Sequence, residues 1–576
     1  MVGAHFSGQG SLGVRGIAFL ACLTAALCRC SASPSSVPGS PSSENPAPSD
    51  DTSGDGGLIF ARSPSSVGSD DAGALEASEA SLDASPEVEA ETSTCDPNQA
   101  PKDADCIIDD AYGVFVASPS SVDGGIGGSD DAGTGSMALP FATIGMALSN
   151  LNGKSRIYIS GGVYSEEVSI DGAHEASLYG GLTCTGSANG LAWQYSGAVA
   201  EVRPAVADHA ALTISSVSSP LTIEDMGFEA PAATSQAPSG AGVSSIAAWV
   251  SSSTVSFVRV VLTGGDAARG ADGTTETNYD PSAPVAPAPV NSTDGLDQAC
   301  PPGAVSPPAD STVGGQGSLG GPIGSPGAAY PPAMGTAPRD GLGGVSGFTD
   351  YAAPGDDGAD GYARSSGIAA AALGTLATTA WLPARGGDGA PGTPGQGGGG
   401  GGSLHINATS TSFYYGGAGG TGGCGGGGGT GGNGGGASVA LFSIESTVTL
   451  TTCQLVSNQA GDGGNGGAGG PGQAGSVGHM VAYSGNGGMG GNGAGGSGGA
   501  GGTGGLSAGI AYEGSEPVTD ATTIISLGHG TGAGAAGMGG AGGAGAANAS
   551  GAGPNASAGA AGLLGAYATV RDLDSP

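Results

Sequence analysis

The chain has 576 residues, of which 122 are glycine and 36 proline, while aromatic residues make up only 5%. At about 25 cal/mol per Å² of buried apolar surface, only its short Val/Ile/Leu/Phe-rich segments can drive folding, so the roughly three or four domains that length alone allows reduce to one narrow, long core. The net charge of −36, from 13 basic and 49 acidic residues, excludes the phosphate neutralisation on which nucleic-acid affinity rests and disfavours an anionic membrane surface.

Residues 1–30 read as an export signal. Arg15 precedes the apolar run 16–28, too short to span a bilayer but suited to a cleaved h-region. Phe19-Leu-Ala-Cys22 resembles a lipobox, which makes Cys22 the candidate for lipidation; an ordinary cleaved secretory signal is the alternative. The expected address is therefore secreted or cell-surface, an outer-membrane lipoprotein included, with a lipid anchor as the membrane link. Residues 31–94 are a Ser/Pro/Asp/Glu/Ala tract that cannot offset its chain entropy and reads as a disordered stalk. Its phrase Ser-Pro-Ser-Ser-Val, at 33–37 and 63–67, returns at 118–122.

Beyond the signal stand six of the nine cysteines: Cys95, Cys106, Cys184, Cys300, Cys424 and Cys453. An even number in an exported chain favours disulfides, and Cys95 and Cys106, flanking a short turn-rich stretch, form the expected pair. A zinc site would need close Cys/His pairs, and the sequence has none.

Folding signals begin near Cys106, and residues 95–263 read as an N-terminal cap followed by the first coils of a solenoid. Pro140 opens a helical pattern with Phe141, Ile144, Ala147, Leu148 and Leu151 on one face. Short β-branched runs follow about every ten residues, at 156–160, 167–170, 176–179, 211–215, 221–224 and 256–262, a spacing that fits a sandwich or a solenoid. An internal repeat favours the solenoid. Residues 244–262 shifted by 193 lie on 437–455, so that Ile246 meets Val439, Trp249 meets Phe442, Val255 meets Val448, Phe257 meets Leu450 and Leu262 meets Leu455. A weaker third copy runs through 509–512 and 522–527. Apolar positions match and each copy exits into glycine-rich sequence, as stacked coils require.

Between the copies lie long excursions. Residues 264–402 are Gly/Pro/Ala-rich, and 403–576 interleave further coils with Gly-Gly-X tracts at 416–436, 461–505 and 528–562. Proline is too scarce in these triplets for collagen. Disorder and a bundle of extended, polyglycine-II-like strands both remain open. The fold class expected is thus all-β, a right-handed parallel β-helix with one N-terminal capping helix, interrupted by glycine-rich excursions.

Residues 128–135, followed by Pro140-Phe-Ala-Thr-Ile144 and Ala147-Leu148, resemble the entry signature of a bacterial domain of unknown function within the pectate-lyase-like right-handed β-helices. Residues 157–164, 167–170 and 178–181 resemble the first coils after it. The resemblance covers about 106–262 and implies that the helix after Pro-Phe protects the open end of the solenoid. The remainder resembles PGRS-type glycine-rich exported proteins in composition. Neither resemblance implies an activity.

Catalytic patterns are thin. Gly528-His-Gly530 and Asp356-Asp357 match two polygalacturonase elements, but the Asn-Thr-Asp and Arg-Ile-Lys elements are missing. The Asp-Asp pairs at 70–71, 109–110, 130–131 and 356–357 fall in turn-like sequence, where Asp serves the turn. Arg203 and Arg259 lie in strand-like runs with no acidic cluster expected on their face. Asp171-Gly-Ala-His174 lacks a nucleophile elbow. No catalytic, cofactor or metal residues are assigned, and calcium, weakly taken up by the acidic stalk and loops, is the one ion left as a candidate. The function expected is a non-enzymatic, structural or adhesive surface protein meeting polysaccharide or envelope and matrix components; the alternative is a polysaccharide-binding or polysaccharide-cleaving β-helix protein.

Overall fold

The computed structural model describes residues 95–118, 127–187, 190–207, 209–276, 294–300, 311–319, 323–330, 341–348, 351–407, 411–528 and 532–575. Residues 1–94, where an export signal with Cys22 and a stalk with Asp70 and Asp71 were expected, and His529 lie outside the described residues. The chain is nearly all β, built around three parallel sheets that it visits in rotation.

The first sheet holds Val114–Val116, Arg156–Ser160, Ser177–Ser187, Leu221–Glu224, Thr254–Val258, Thr447–Thr451 and Val518–Thr519. The second holds Gly162–Tyr164, Ala200–Val202, Met226–Glu229, Val261–Thr263, Gln454–Ser457 and Ile524–Leu527. The third holds Val168–Asp171, Leu212–Ser215, Ser245–Ser251, Ser438–Ile444, Ser507–Glu513 and Tyr567–Asp572. From Arg156 onward the chain passes first, second, third sheet and begins again. The 193-residue repeat is the register of two successive passes: Ile246 pairs with Val439, Trp249 with Phe442, Val255 with Val448, Phe257 with Leu450 and Leu262 with Leu455.

Alternation along each strand sends Val255, Phe257, Leu262, Val448, Leu450 and Leu455 into one continuous core between the sheets. At the N-terminal end, the short helix Ile144–Ser149 adds Ile144, Ala147 and Leu148 to that core. Its first turn is satisfied from outside. Glu166 accepts hydrogen bonds from the Ile144 and Gly145 N–H groups (2.8 and 2.9 Å), and the Thr143 hydroxyl accepts from Met146. Two smaller cores cover outer faces. Trp249, Phe442 and Trp381 pack on the third sheet, and Phe115, Tyr158, Tyr179 and Trp193 on the first.

Successive passes turn their corners with single residues in the left-handed region. Asp225, Arg259 and Thr452 (φ 55°, 54° and 55°) occupy the corner between first and second sheets, and Ser216, Ser252 and Glu445 the corner between third and first. This conformation is strained for residues other than glycine, but stacking uses the freed N–H groups. Asp225 donates to Val258 O (3.1 Å) and Arg259 to Thr451 O (2.9 Å), one pass further on.

All three glycine-rich excursions leave the stack between a second-sheet strand and the next third-sheet strand: after Thr263, after Ser457 and after Leu527. Their described residues share one hydrogen-bonded lattice. The strand 485–505 donates to three neighbours, with Gly488 and Gly491 reaching Gly399 and Gln396, Gly493 and Gly496 reaching Gln473 and Gly470, and Gly498 and Gly501 reaching Ser557 and Ala560. It accepts from three more, with Gly420 and Gly423 donating to Gly488 and Gly491, Gly537 and Gly540 to Gly502 and Gly499, and Gly355 and Gly358 to Asn486 and Met489. Donors to each neighbour recur every third residue, so one position of each triplet faces each direction. That is the three-residue period of an extended threefold helix. Over the described residues the tracts lie as extended strands with this period. The excursion 264–402, aperiodic by sequence, supplies further strands at 264–276, 355–367 and 384–402.

Glycine is required by close approach here. A Cβ on Gly493 would run into the carbonyl oxygen of Cys424, and one on Gly499 into that of Thr430. At the outer strands, Asp and Asn side chains take the place of the missing lattice neighbour. Asp266 and Asp272 accept from the Gln459 and Asn465 N–H groups (3.1 and 2.6 Å), and Asp462 and Asn465 accept from Ala535 and Met538 (2.7 and 2.9 Å).

Candidate functional site

The densest group of ionisable side chains on the sheets corrects the sequence reading. Arg259 was expected to face no acidic cluster. Instead its Nε and Nη2 lie 2.7 and 2.8 Å from the two carboxylate oxygens of Asp225, and its Nη2 also meets Glu224. The pairing arises because Glu224-Asp225 and Val258-Arg259 end successive first-sheet strands in register, with Glu224 opposite Val258. Residues 34 apart in sequence thus become neighbours at one corner. Tyr195, on the neighbouring hairpin strand Gly190–Ala198, has its hydroxyl pushed up by burial first and then by the Asp225 carboxylate.

Burial pushes the Glu224 carboxyl up, and the adjacent Arg259 guanidinium opposes that rise. The hydrogen bonds to Asp225 hold the Arg259 guanidinium in its charged form. The Glu224 side chain is only 7% exposed and that of Asp225 12%. A carboxylate acting on a glycosidic bond must reach the scissile oxygen or a water beside it. Here both carboxylates are turned onto one guanidinium, which makes the group an ionic staple between passes. Arg203 likewise has acidic partners, Glu201 at 2.6 Å and Glu229 at 2.9 Å, but this group is open to solvent. Such exposed pairs contribute about 0–1 kcal/mol.

The remaining candidates resolve into structural roles. Cys95 bonds Cys106 as expected, and Cys300 bonds Cys424 across the glycine bundle. Cys184 and Cys453, grouped with them as disulfide candidates, are free thiols. Cys184 pairs with Trp193 in the hairpin, and burial pushes its thiol up to about 11; Cys453 is buried in the main core. Asp130 accepts from Ala142 and Thr143, Asp109 from Ala111, Asp110 from Met137 and Asp357 from Met489, so these acidic pairs serve turns and strand edges. Asp171 bonds His174 at 2.9 Å on an exposed turn. Among the described residues no group of three or more His, Cys, Asp or Glu is placed to hold a metal ion, and no helix is long and apolar enough to cross a membrane.

Comparison with protein-family models, with curated proteins and with solved structures finds no match to this chain.

Proposed function

We propose that the chain is an exported, non-enzymatic surface or extracellular protein with a structural or adhesive role, and that its three sheets are the rungs of a right-handed parallel β-helix. The observation that carries the reading is the common exit of the glycine-rich excursions: a stacked body grows from one corner a bundle of hydrogen-bonded rods. The N-terminal apolar run, the charge of −36 and the two disulfides support export, since disulfides persist in oxidising compartments. Expressed with its own N-terminus, the chain should fractionate with the envelope or medium and be cut by protease added to intact cells. Beads coated with it should hold to polysaccharide- or matrix-coated surfaces. Retention in the cytoplasm, or beads that adhere to nothing, would remove this reading. Replacing Cys22 by Ser separates lipid anchoring from secretion: an anchored protein moves from the envelope to the medium.

Polysaccharide cleavage is the second reading, and the group of Arg259, Glu224 and Asp225 is where it would have to act, although both carboxylates are engaged by the guanidinium. New reducing ends or unsaturated products released by the full chain, and lost in Glu224→Gln, would place that reading first.

A further inference from the structure

The rods of the bundle form a hexagonal lattice. Six of them ring 485–505, in the order 384–402, 416–436, 461–479, 532–546, 553–565 and 355–367, each hydrogen-bonded to the next. Two adjacent rods leave a groove on their outer side, and the chain lays further strands of its own in such grooves. Rod 264–276 lies outside 416–436 and 461–479, with Gly436 donating to Ala268 O and Gly270 to Asp462 O (both 2.9 Å). Segment 311–319 lies outside 384–402 and 416–436, with Gly315 donating to Gly398 O and Gly419 to Gly315 O (both 2.8 Å). In both cases one wall donates to the lodged strand and the other accepts from it. The groove outside 461–479 and 532–546 holds no described strand, but Asp462 and Asn465 cap the N–H groups of Ala535 and Met538 that face it.

The groove outside 532–546 and 553–565 is walled by described residues throughout, and no described strand lies in it. Every third N–H of 532–546 faces it. Gly545 donates there to Asn555 Oδ1 (2.9 Å), whereas Ala536, Gly539 and Gly542, in phase with Gly545, have no acceptor among the described residues. On the other wall, the carbonyl oxygens of Ala556 and Gly559, which a Cβ on Gly542 or Gly539 would meet, accept no hydrogen bond from the described residues, and neither does that of Gly562. Ala558, Ala561 and Leu564 are exposed in phase with Asn555. An extended backbone in this groove would thus find donors on one wall and acceptors on the other at three-residue intervals, the pattern that holds 264–276 and 311–319.

Residues 532–570 include no Asp, Glu, Lys or Arg, in a chain of net charge −36. The flanking rods carry Asp462 on one side and Asp356, Asp357 and Asp360 on the other. Copies of so acidic a chain repel one another, and here a second copy meets no charge on either wall. We infer that the groove outside 532–546 and 553–565 receives a glycine-rich rod of a second copy of the chain, so that the lattice continues from one molecule into the next. The occupant must be extended, with hydrogen-bonding groups free at every third residue, and it must be slender, because Ala558 and Ala561 narrow the groove. The outer rods of the bundle are strands of that kind. Between Asn555 and Leu564 the open stretch is about three triplets, or 28 Å, which places the contact among small, transient interfaces. Self-association of this kind is independent of whatever else the protein adheres to.

The test is sedimentation velocity of the full-length protein over a rising concentration series, with amide exchange of 532–546 followed in parallel. Assemblies larger than the monomer should form at the highest concentrations, and exchange at Ala536, Gly539 and Gly542 should slow as they do. Ala558→Glu with Ala561→Glu puts charge into the groove and should weaken association by about tenfold or more at an unchanged melting midpoint. Ala541→Glu adds charge to 532–546 away from the groove and should leave association intact. Wild-type protein that stays monomeric throughout overturns the inference. So does a folded double variant that associates like wild type, or an Ala541→Glu variant that loses association to the same degree. Should the double variant fail to fold, wild-type exchange decides: protection of 532–546 that does not rise with concentration overturns it.

Discussion

Arg259 lies one pass beyond Asp225 at the same corner, both at φ near 55°, with its guanidinium forked on the Asp225 carboxylate at 2.7 and 2.8 Å. Two residues in a conformation unfavourable for either are thus coupled by an ion pair that holds adjacent passes in register.

Removing that fork should weaken the stack in a pH-dependent way. Arg259→Ala leaves Glu224 and Asp225 without their cation and should cost about 1–3 kcal/mol near neutral pH. Glu224 already sits above the usual carboxylate range because of burial, and losing Arg259 raises it further. A carboxyl raised in the folded state favours folding when protonated, and that contribution is lost as pH rises through its folded pKa. The deficit of Arg259→Ala relative to wild type should therefore grow from acid toward neutral pH. Adding Glu224→Gln should restore part of it at pH 7. Melting curves between pH 4 and pH 7 give the comparison, and a deficit that shrinks on raising the pH would contradict it.

The bundle should discriminate sharply between its two kinds of position. Gly493→Ala and Gly499→Ala each drive a methyl into a neighbouring carbonyl, whereas Ala541 already projects outward and is exposed. The glycine substitutions should cost about 1–3 kcal/mol or more, as overpacking does, and Ala541→Ser close to nothing. Thermal denaturation and amide exchange across 461–505 would report the difference.

The Cys300–Cys424 bond spans 124 residues and fastens the first excursion to the lattice. Loops of this size lose stabilisation of about 4–5 kcal/mol in the chain-entropy account when opened. Limited proteolysis should accordingly find Cys300→Ser cleaved faster within 264–402 than wild type, while 244–262 stays protected. Equal rates would show that hydrogen bonding alone holds the excursion. Peptide mapping of the unreduced protein should recover Cys95–Cys106 and Cys300–Cys424, with Cys453 alkylated only after unfolding.

Trp249 and Phe442, paired across the repeat with ring centroids 4.9 Å apart, should respond unequally to change. Phe442→Ala empties a fully buried site and should cost about 3–5 kcal/mol. The Trp249 Nε1 is buried without a hydrogen-bond partner, so Trp249→Phe gives up packing but also removes an orphan donor and should be far milder. Chemical denaturation of the two variants ranks them.

Much of the body was legible because stacking writes itself into sequence. Ile246, Trp249 and Phe257 recur as Val439, Phe442 and Leu450 for the simple reason that they sit over one another. The glycine tracts were ambiguous because period-three glycine is compatible with both a solvated chain and a lattice. What distinguishes them is the position of other strands, at distances of 68 residues for Gly420 and Gly488 or 26 for Gly470 and Gly496. The Arg259 staple escaped notice for a related reason. Charge and acid are 34 residues apart, and only the length of one pass brings them together; the aligned ends of 221–224 and 254–258 were the available signal.

Because the glycine-rich excursions begin and end at one corner, their length is decoupled from the packing of the stack. Inserting one triplet into each of two neighbouring antiparallel rods preserves every hydrogen-bond phase and lengthens the pair by about 9 Å. The same body can therefore serve as a fixed mount for projections of graded reach, adjustable in whole triplets, without altering a residue of its interior.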